Sequence, residues 1–498
     1  MELYHIIGYI ILFLPLMASL LCLLANLKKN SSVIFYANNI LILVFSAILI
    51  FLLPNFQTYI VSNISAQIIS ITINYNIGIL SLFFIILLTS IQLLTIIFYQ
   101  NNLQNYFNAK NEHIFYALNL VNLFAIIGIF TSYNIINLYF LIEIYSLTFY
   151  SLSCISQNKS LNNLAFKYFY QGCIGSILLL VSFLFLFINF ESANFETIFF
   201  AIQNISDGNQ KILLLLIFII FTFGILLKFF PFWLHHKNLN NRDSLSHFLL
   251  SRSLFIKSNI GIYLLIKFFF LLFNSELILN LFRINLAFFA FAFLLIFYSN
   301  FKIFKARNFK TILFYFCLTT IGFFLISVTI NDKNSLISAL FFIINYSLIG
   351  LTLLFICGFM TYNFRNCNID NLSILRTNSS LSKYLFPLLI FLFCATPTTI
   401  LFLANWNLIY AIFDYKFLLI IMMPILSTNF VFYNLSVKML HSFYFKNLKI
   451  NQEKSPNKLQ DNIHHLISFS LIILAIILLL LNPEITSDIF RNLSLTIK

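Results

Sequence analysis

Three ionisable side chains lie inside long apolar runs of this 498-residue chain, where charge is rarely tolerated. Glu143 is near the middle of one run, Lys228 lies one turn before Pro231 in a second, and Lys257 lies in a third. The other fourteen of the fifteen acidic residues are assigned to loops or helix ends. A charge at the centre of a membrane helix costs about 2.5–3.5 kcal/mol on insertion scales, so these groups are expected to pair or to titrate.

A glutamate and two lysines in such places could store and transfer a proton. A lysine holds or releases its proton according to whether a carboxylate is close. A row of such groups, bridged by water, could therefore pass a proton along. Lys167, one turn inside its helix, and His247, which titrates near neutral pH, could extend the row. Arg252, Lys267 and Lys438 lie nearer helix ends, where long side chains can snorkel to the interface. The alternative is a permanent ion pair that only fixes helix packing.

The elements that carry these side chains are expected to be membrane helices. Hydrophobic residues make up 61% of the chain, charged residues only 9%, and the mean hydropathy is +0.94, which excludes a soluble protein. Each crossing needs about 20 apolar residues. The sequence predicts an all-α polytopic membrane protein with about fourteen helices, near 4–26, 33–53, 76–99, 113–131, 134–155, 164–190, 211–234, 246–273, 277–300, 310–330, 334–361, 383–413, 417–441 and 463–482. The segment 57–72 is too short and polar to be counted as a crossing.

The loops between these helices divide the basic residues unequally. With fourteen crossings, seventeen loop lysines and arginines fall on one side and five on the other. By the positive-inside rule, both termini then face the outer compartment. The same rule explains the net charge of +14 without a nucleic-acid partner. The chain begins without a basic leader or cleavage site, so no removable signal is expected.

Two prolines lie in the middle of predicted helices. Pro231 and Pro397 should break helices seven and twelve at bilayer depth, because a proline removes a backbone hydrogen bond. Breaks five helices apart predict an inverted repeat of helices 4–8 and 9–13, and paired broken helices point to an ion site. The predicted divisions are a three-helix segment over 1–110, repeats over 111–275 and 276–445, and a basic loop with the last helix over 446–498.

No cofactor or metal site is predicted. The seven cysteines are scattered, and no CxxC or Cys/His ligand spacing occurs. The chain also contains no phosphate loop and no Gly-x-Gly-x-x-Gly motif. Redox or nucleotide chemistry would therefore require another subunit. His235 and His236 fall in a basic loop and are expected to be solvated.

An ordered set of short motifs between about residues 110 and 410 resembles the antiporter-like subunits of respiratory NADH:quinone oxidoreductase (complex I) and of Mrp-type antiporters. It consists of Tyr139-Phe-Leu-Ile-Glu143, Ala165-Phe-Lys-Tyr-Phe-Tyr-Gln171, Gly224-Ile-Leu-Leu-Lys-Phe-Phe-Pro-Phe232, and Lys257. Each motif is weak alone, and the specificity lies in their order and spacing. The flanks match only in hydropathy.

The resemblance implies roles for these residues. Glu143 and Lys228 would be the charge pair that couples the channel to its neighbour, and Lys257 the central water-linked relay. Lys167 in its Lys-Tyr-Phe-x-Gln setting is most similar to subunit 2 of NADH dehydrogenase. The stretch from Leu348 to Tyr362, followed by Arg365, is more similar to subunit 4. The chain is too short to resemble subunit 5, so subunit 2 is preferred and subunit 4 is the alternative.

Two departures from the family pattern concern the exit of the proton. The family has a lysine or glutamate eight residues beyond the proline of helix twelve, and here that position is Asn405. Lys416 lies eleven residues further on, about 16 Å away at helical rise. The family's His-x-Trp-x-Pro motif is replaced by Trp233-Leu-His-His236. Asn405 could orient water but cannot carry a charge.

The sequence thus predicts a proton-translocating membrane-arm subunit of complex I. Its partners would be other membrane-arm subunits and lipids, with protons and water as the only small substrates and no nucleic acid. The expected location is the mitochondrial inner membrane with both termini on the intermembrane-space side, or alternatively a bacterial cytoplasmic membrane. Two alternatives stay open, namely an Mrp-type sodium/proton antiporter subunit and a structural subunit with a decayed channel.

Overall fold

Long helices make up almost all of the computed structural model of this chain, and two short strands complete it. The structure describes residues 2–24, 30–52, 60–62, 75–104, 112–155, 159–205, 208–230, 244–271, 284–330, 332–364, 367–373, 380–397, 399–413 and 418–445. Eleven of the described helical segments are long and apolar enough to cross a membrane. The prediction of an all-α polytopic membrane protein is confirmed.

The described residues of the first half form ten helices and one antiparallel pair of strands. In chain order, the helices are α1 Glu2–Leu24, α2 Asn30–Leu52, α3 Ile79–Gln104, α4 Glu112–Thr131, α5 Ile135–Cys154, α6 Lys159–Phe190, α7 Phe195–Gln203, α8 Gly208–Phe229, α9 Ser244–Ser251 and α10 Ser258–Leu271. A π-helical segment, Arg252–Lys257, joins α9 to α10 into one continuous rod. Strands β1 Ile60–Ser62 and β2 Tyr75–Ile77 pair antiparallel, so part of the uncounted segment 57–72 is a strand.

The described residues of the second half form six more α-helices. They are α11 Ile284–Lys305, α12 Phe309–Ile330, α13 Lys333–Phe364, α14 Ser380–Phe393, α15 Ile400–Ile412 and α16 Leu418–Tyr444, and a short 3-10 helix, Ile369–Asn371, precedes α14. Helices near the first thirteen predicted positions are therefore present. The predicted fourteenth helix, 463–482, and Lys416 lie outside the described residues.

The break predicted at Pro397 is present, because α14 ends at Phe393 and α15 begins at Ile400. Thr399 caps the second piece, since its hydroxyl oxygen accepts a hydrogen bond from the backbone N–H of Phe402 at 3.3 Å. Helix α8 ends two residues before Pro231, and residues 231–243 lie outside the described part of the chain. The predicted helix over 383–413 is thus two helices.

Two backbone bridges of the same kind lie five membrane crossings apart along the chain. In the first, Ile135 N–H donates to the Ala193 carbonyl at 2.9 Å, and the bridge joins Asn134 to Asn194. In the second, Phe309 N–H donates to the Cys367 carbonyl at 3.1 Å, and the bridge joins Asn308 to Asn368. If each span crosses once, the two bridges lie on opposite membrane faces. This is the relation that an inverted repeat requires, while the exact domain boundaries stay predictions.

The rod formed by α9, the π-helical segment and α10 lies at the centre of the molecule. Every side chain from Phe248 to Phe269 is buried, although this stretch is among the least hydropathic of the crossings. Almost all residues in the crossing segments of α12 and α13 are also buried, whereas only 28% are buried in those of α6 and α11. The polar residues of the central rod are therefore surrounded by protein and not by lipid, as expected for functional groups at membrane depth.

Candidate functional site

An ion pair joins α5 to α8. The Lys228 Nζ lies 2.6 Å from the Glu143 Oε1 and donates a second hydrogen bond to the Ser176 Oγ at 2.6 Å. Lys228 is only 1% exposed, whereas the Glu143 side chain is 30% exposed. Ser146 donates to the other carboxylate oxygen of Glu143 at 3.3 Å. The structure thus brings together two residues that are 85 positions apart in the sequence.

A glycine on α6 allows α8 to approach closely enough for this pair. A Cβ atom added to Gly175 would lie 2.6 Å from the Lys228 Cβ and 2.9 Å from the Lys228 backbone nitrogen. Only hydrogen fits there, since real Cβ contacts are longer, and small residues are what let membrane helices pack closely. On the other side of the contact, Gly224 of α8 packs against Leu179 of α6. The α6–α8 interface therefore fixes where Lys228 can be.

Gln171 on α6 compensates for the broken end of α8. In an uninterrupted helix the Leu227 carbonyl would accept a hydrogen bond from the residue four positions later, but that residue is Pro231, which has no N–H. The Gln171 Nε2 donates to the Leu227 carbonyl at 2.7 Å and reaches the Phe230 carbonyl at 3.3 Å. The glutamine of the Lys-Tyr-Phe-x-Gln motif thus stabilises the helix end that carries Lys228.

Lys257 lies at the end of the π-helical segment, 6% exposed. Its ammonium is 5.6 Å from the ring centroids of both Phe149 and Tyr168, which is within cation–π range. It is also close enough to Lys228 for the two charges to interact. The close approach of α10 to the end of α8, at Gly261 against Phe229, holds the two lysine-bearing elements together.

Arg252 also belongs to the buried interior, which corrects the expectation that it snorkels to the membrane interface near its helix end. It is 1% exposed, and its Nη1 donates to the Asn122 Oδ1 at 3.3 Å. Its position at the start of the π-helical segment could not be read from the residues.

Lys267 requires the same correction. Its side chain is 7% exposed, and the ammonium donates a hydrogen bond to the Ser132 carbonyl at the junction of α4 and α5. It also lies 4.7 Å from the centroid of the Phe195 ring. Lys267 therefore links the end of α10 to the α4–α5 junction next to the first backbone bridge, and its side chain is not on the outer surface of the protein. Lys438, by contrast, is exposed on α16, as predicted.

The remaining predicted relay residues are not in this cluster, or cannot be placed in it. Lys167 is on α6 with its side chain exposed, and it has interactions of its own. His247 lies in α9, but its side chain is outside the described part, as are His235 and His236. Ser176, by contrast, contacts Lys228 and was not predicted, because a serine within an apolar helix is usually a packing residue.

At the corresponding position of the second half, the described residues form a pair of asparagines. The Asn405 Nδ2 of α15 donates to the Asn429 Oδ1 of α16 at 3.1 Å. Asn405 is 4% exposed, and its own Oδ1 has no hydrogen-bond partner among the described residues. Asn405 is therefore inside the protein, where an exit position would have to be. In the part of the chain that the structure describes, no group of three or more His, Cys, Asp or Glu side chains could hold a metal ion.

Solved structures share this architecture along almost their whole length. A chain of the membrane-bound sulfane sulfur reductase, an archaeal respiratory membrane complex, aligns with a TM-score of 0.78 at 14% identity, covering 98% of this chain and 97% of that one. A chain of the Mrp complex from Dietzia sp. DQ12-45-1b gives 0.80 at 12% identity, covering 99% and 97%. A chain of respiratory complex I from Thermus thermophilus with bound NADH gives 0.75 at 14% identity, covering 98% of both chains. At these identities the similarity is one of fold.

Sequence relationships give a sharper result. No curated protein matches this chain by sequence. The family model described as NADH:quinone oxidoreductase/Mrp antiporter, TM, matches residues 132–431, which include Glu143, Lys228, Lys257 and both backbone bridges. A match over this much of the chain agrees with the fold and with the helix breaks. The chain is therefore a membrane protein that belongs to the NADH:quinone oxidoreductase/Mrp antiporter transmembrane family.

Proposed function

We propose that this chain is a proton-translocating membrane-arm subunit of a complex I-type NADH:quinone oxidoreductase. Glu143, Lys228 and Lys257 would hold protons and exchange them through water, driven by quinone reduction elsewhere in the complex. The observation that carries the proposal is the Lys228–Glu143 pair at 2.6 Å. A second buried lysine, Lys257, lies close to this pair and contacts two aromatic rings. The chain itself carries out no redox step.

The arrangement suits proton exchange because the carboxylate of Glu143 pairs with one of two neighbouring ammonium groups, that of Lys228, while that of Lys257 lies near Lys228. When Glu143 contacts Lys228, the pair is neutral and Lys257 carries the uncompensated charge. When the pair opens, two buried cations are left near each other, which favours loss of a proton from one of them. Glu143 is the more exposed member, so events on the outer surface of α5 can reach it. Opening and closing of this ion pair is therefore the proposed coupling step.

Glu143→Gln and Lys228→Met test this function in the assembled complex. Each change removes one partner of the pair, and we expect redox-driven proton movement to fall at least about tenfold, which corresponds to about 1.4 kcal/mol. Quinone reduction by the uncoupled complex and the amount of assembled complex are measured in parallel. If both variants move as many protons per electron as the wild type does, the proposal is ruled out.

The first alternative is an Mrp-type antiporter subunit that exchanges sodium for protons. The observation that favours it is the high similarity of fold to a chain of an Mrp complex. It predicts cation-dependent proton flux in vesicles that contain the chain with antiporter partners and no NADH-oxidising module. The described residues of the site supply a single carboxylate, Glu143, and this argues against the antiporter, because sodium prefers several oxygen ligands.

The second alternative is a structural subunit whose channel no longer conducts, and the neutral Asn405 favours it. Under this alternative, the lysine variants lower the abundance of the complex and its proton movement in the same proportion. In each case the partners would be other membrane-arm subunits and lipids. The proposed location is the mitochondrial inner membrane with both termini in the intermembrane space, or otherwise a bacterial cytoplasmic membrane.

A further inference from the structure

The guanidinium of Arg252 is enclosed by protein but only partly bonded. Its Nη1 donates to the Asn122 Oδ1 at 3.3 Å, and its Cζ lies 5.2 Å from the centroid of the Phe248 ring. Its Nε and Nη2 are buried and have no hydrogen-bond partner among the described residues. A buried charged donor without a partner is much more costly than an exposed one, so a group that binds both nitrogens would be stabilising.

The two unpartnered nitrogens form one edge of the guanidinium. The Nε–H and the adjacent Nη2–H point in the same direction, and this fork matches an anion that accepts two hydrogen bonds at once. A third donor lies nearby, because the buried hydroxyl of Tyr145 has no partner in the described part of the chain either and is within electrostatic range of Arg252. Arg252 and Tyr145, both of which are hydrogen-bonded to Asn122 through other atoms, thus have unpartnered hydrogen-bond donors in the same region of the interior.

The charge of this region is also unbalanced. Arg252, Lys228 and Lys257 are all buried cations, and Glu143, which pairs with Lys228, is the carboxylate that the described residues supply to them. No carboxylate of the described residues bonds to Arg252. Buried charges in proteins are almost always paired, so a negative charge at the free edge of Arg252 is the arrangement with the lowest cost.

We propose that Arg252 and Tyr145 bind one small inorganic anion of the chloride type inside the membrane domain. The π-helical segment brings the site next to Lys257, because its hydrogen bonds join residues five positions apart. Arg252 and Lys257 are therefore one turn from each other along the rod. A bound anion offsets one positive charge beside the proposed relay. This effect on the relay rests on the proposed function, whereas the binding of the anion does not.

Halide binding to the purified complex tests the proposal. The complex is freed of halide by exchange into gluconate and titrated with radioactive chloride, and bromide serves as the heavy probe for a map of the site. We expect saturable binding of one halide ion per copy of this chain, with density between Arg252 and Tyr145. Absence of saturable binding, or density at Arg252 that belongs to water or to a carboxylate of another subunit, would overturn the proposal.

Variants separate this site from adventitious binding. Arg252→Met is expected to weaken halide affinity at least about tenfold, and Arg252→Lys almost as much, because lysine keeps the charge but lacks the fork. Tyr145→Phe removes only the hydroxyl and should weaken affinity several-fold, so it remains informative if the arginine variants fail to assemble. Arg307→Gln, at an exposed arginine outside the cluster, is the matched control and should bind as the wild type does. Equal affinity in all four variants would mean an adventitious ion only.

The two proposals fail in different ways. If halide binds with the expected variant pattern but Glu143→Gln and Lys228→Met both pump normally, the relay is wrong and the anion site stands. If those two variants stop proton movement and no halide binds, the relay stands and the anion site is wrong. With both correct, replacing chloride by gluconate lowers proton movement in the wild type but not in Arg252→Met.

Discussion

The two halves of this molecule share a backbone plan but differ in the side chains at its centre. Asn134 and Asn308 each begin a helix by accepting a hydrogen bond from the backbone N–H two residues later, at 2.8 and 3.0 Å. Each of the two asparagines also takes part in one of the two backbone bridges, Asn134 with Asn194 and Asn308 with Asn368. In the first half, the helix that ends before Pro231 carries Lys228, which pairs with Glu143. In the second half, the helix that follows Pro397 carries Asn405, which is hydrogen-bonded to Asn429.

This difference separates two functions of a broken helix. The break frees backbone carbonyls and opens polar surface at membrane depth in either half, whatever side chain is nearby. Storage of a proton, however, requires a group that titrates, and an asparagine does not. Under the proposed function, Glu143, Lys228 and Lys257 of the first half hold the protons, whereas Asn405 of the second half can only orient water. Substitutions in the first half should therefore have larger effects on proton movement than substitutions in the second.

The largest effect is expected from Lys257→Met. It removes a buried ammonium while keeping much of the side-chain volume, and we expect redox-driven proton movement to fall at least about tenfold. The measurement is the ratio of protons moved to quinone reduced in vesicles that contain the complex. Lys438→Met is the control in the second half, because Lys438 is exposed and donates only to the Phe304 carbonyl among the described residues. Equal loss in both variants would contradict the assignment.

A glycine in the first half gives the next largest effect. Gly175→Ala places a methyl group where the Lys228 backbone now lies, so α6 and α8 must separate and the Glu143 contact must lengthen. Overpacking of this kind typically costs about 1–3 kcal/mol. We expect reduced thermal stability together with a several-fold loss of proton movement. Gly208→Ala meets no atom within 4 Å and is expected to have no effect on either quantity.

A smaller effect is expected at the glutamine that supports the break. Gln171→Met leaves the Leu227 carbonyl without its donor, and an unsatisfied buried group costs about 1–3 kcal/mol. The expected result is a lower unfolding temperature with only a partial loss of proton movement, because the charged side chains remain. Asn189→Met, which removes an exposed amide on the same helix, is the comparison. A larger loss at Asn189 would show that Gln171 does not support the helix end.

The second half should respond weakly to substitution at its neutral site. Asn405→Leu removes the hydrogen bond to Asn429, and we expect proton movement to change less than about twofold, since no proton is stored there. Asn405→Lys is the matched variant for this position, because it restores the charge that the family resemblance places there. A tenfold loss in Asn405→Leu would mean that asparagine is essential to the exit path.

The smallest predicted effect is a pH shift at the second backbone bridge, outside the membrane-spanning segments. A hydrogen bond from the Cys357 thiol, assisted by the positive charge of Lys310, lowers the pKa of the Cys367 thiol from 9.0 to about 7. Because a lowered pKa keeps the thiolate populated at lower pH, alkylation of Cys367 by iodoacetamide should reach half its maximal rate near pH 7. Lys310→Met should move this midpoint to higher pH, and an unchanged midpoint would contradict the contribution of Lys310.

Much of this protein was predictable because lipid imposes strong rules on sequence. Apolar runs of about 20 residues and the proline in a helix interior identified the crossings and the break at Pro397. A carboxylate and two lysines in apolar surroundings singled out Glu143, Lys228 and Lys257 as candidates, since a charge at membrane depth is costly, and their role in proton movement stays a prediction. The short helix Phe195–Gln203 and the π-helical segment were not predicted, because neither leaves a periodic signal that differs from that of an ordinary helix.

The sequence alone therefore determined which residues are out of place in a membrane, because hydropathy is a property of each residue and its neighbours along the chain. Only the tertiary structure decided which of them meet. It joined Lys228 to Glu143 across 85 positions, left Lys167 on the exposed surface, and buried Arg252 and Lys267, which their positions in the sequence placed near helix ends. The physical reason is that a side chain's surroundings at membrane depth are set by which helices pack against its own, and here that packing depends on single glycines such as Gly175.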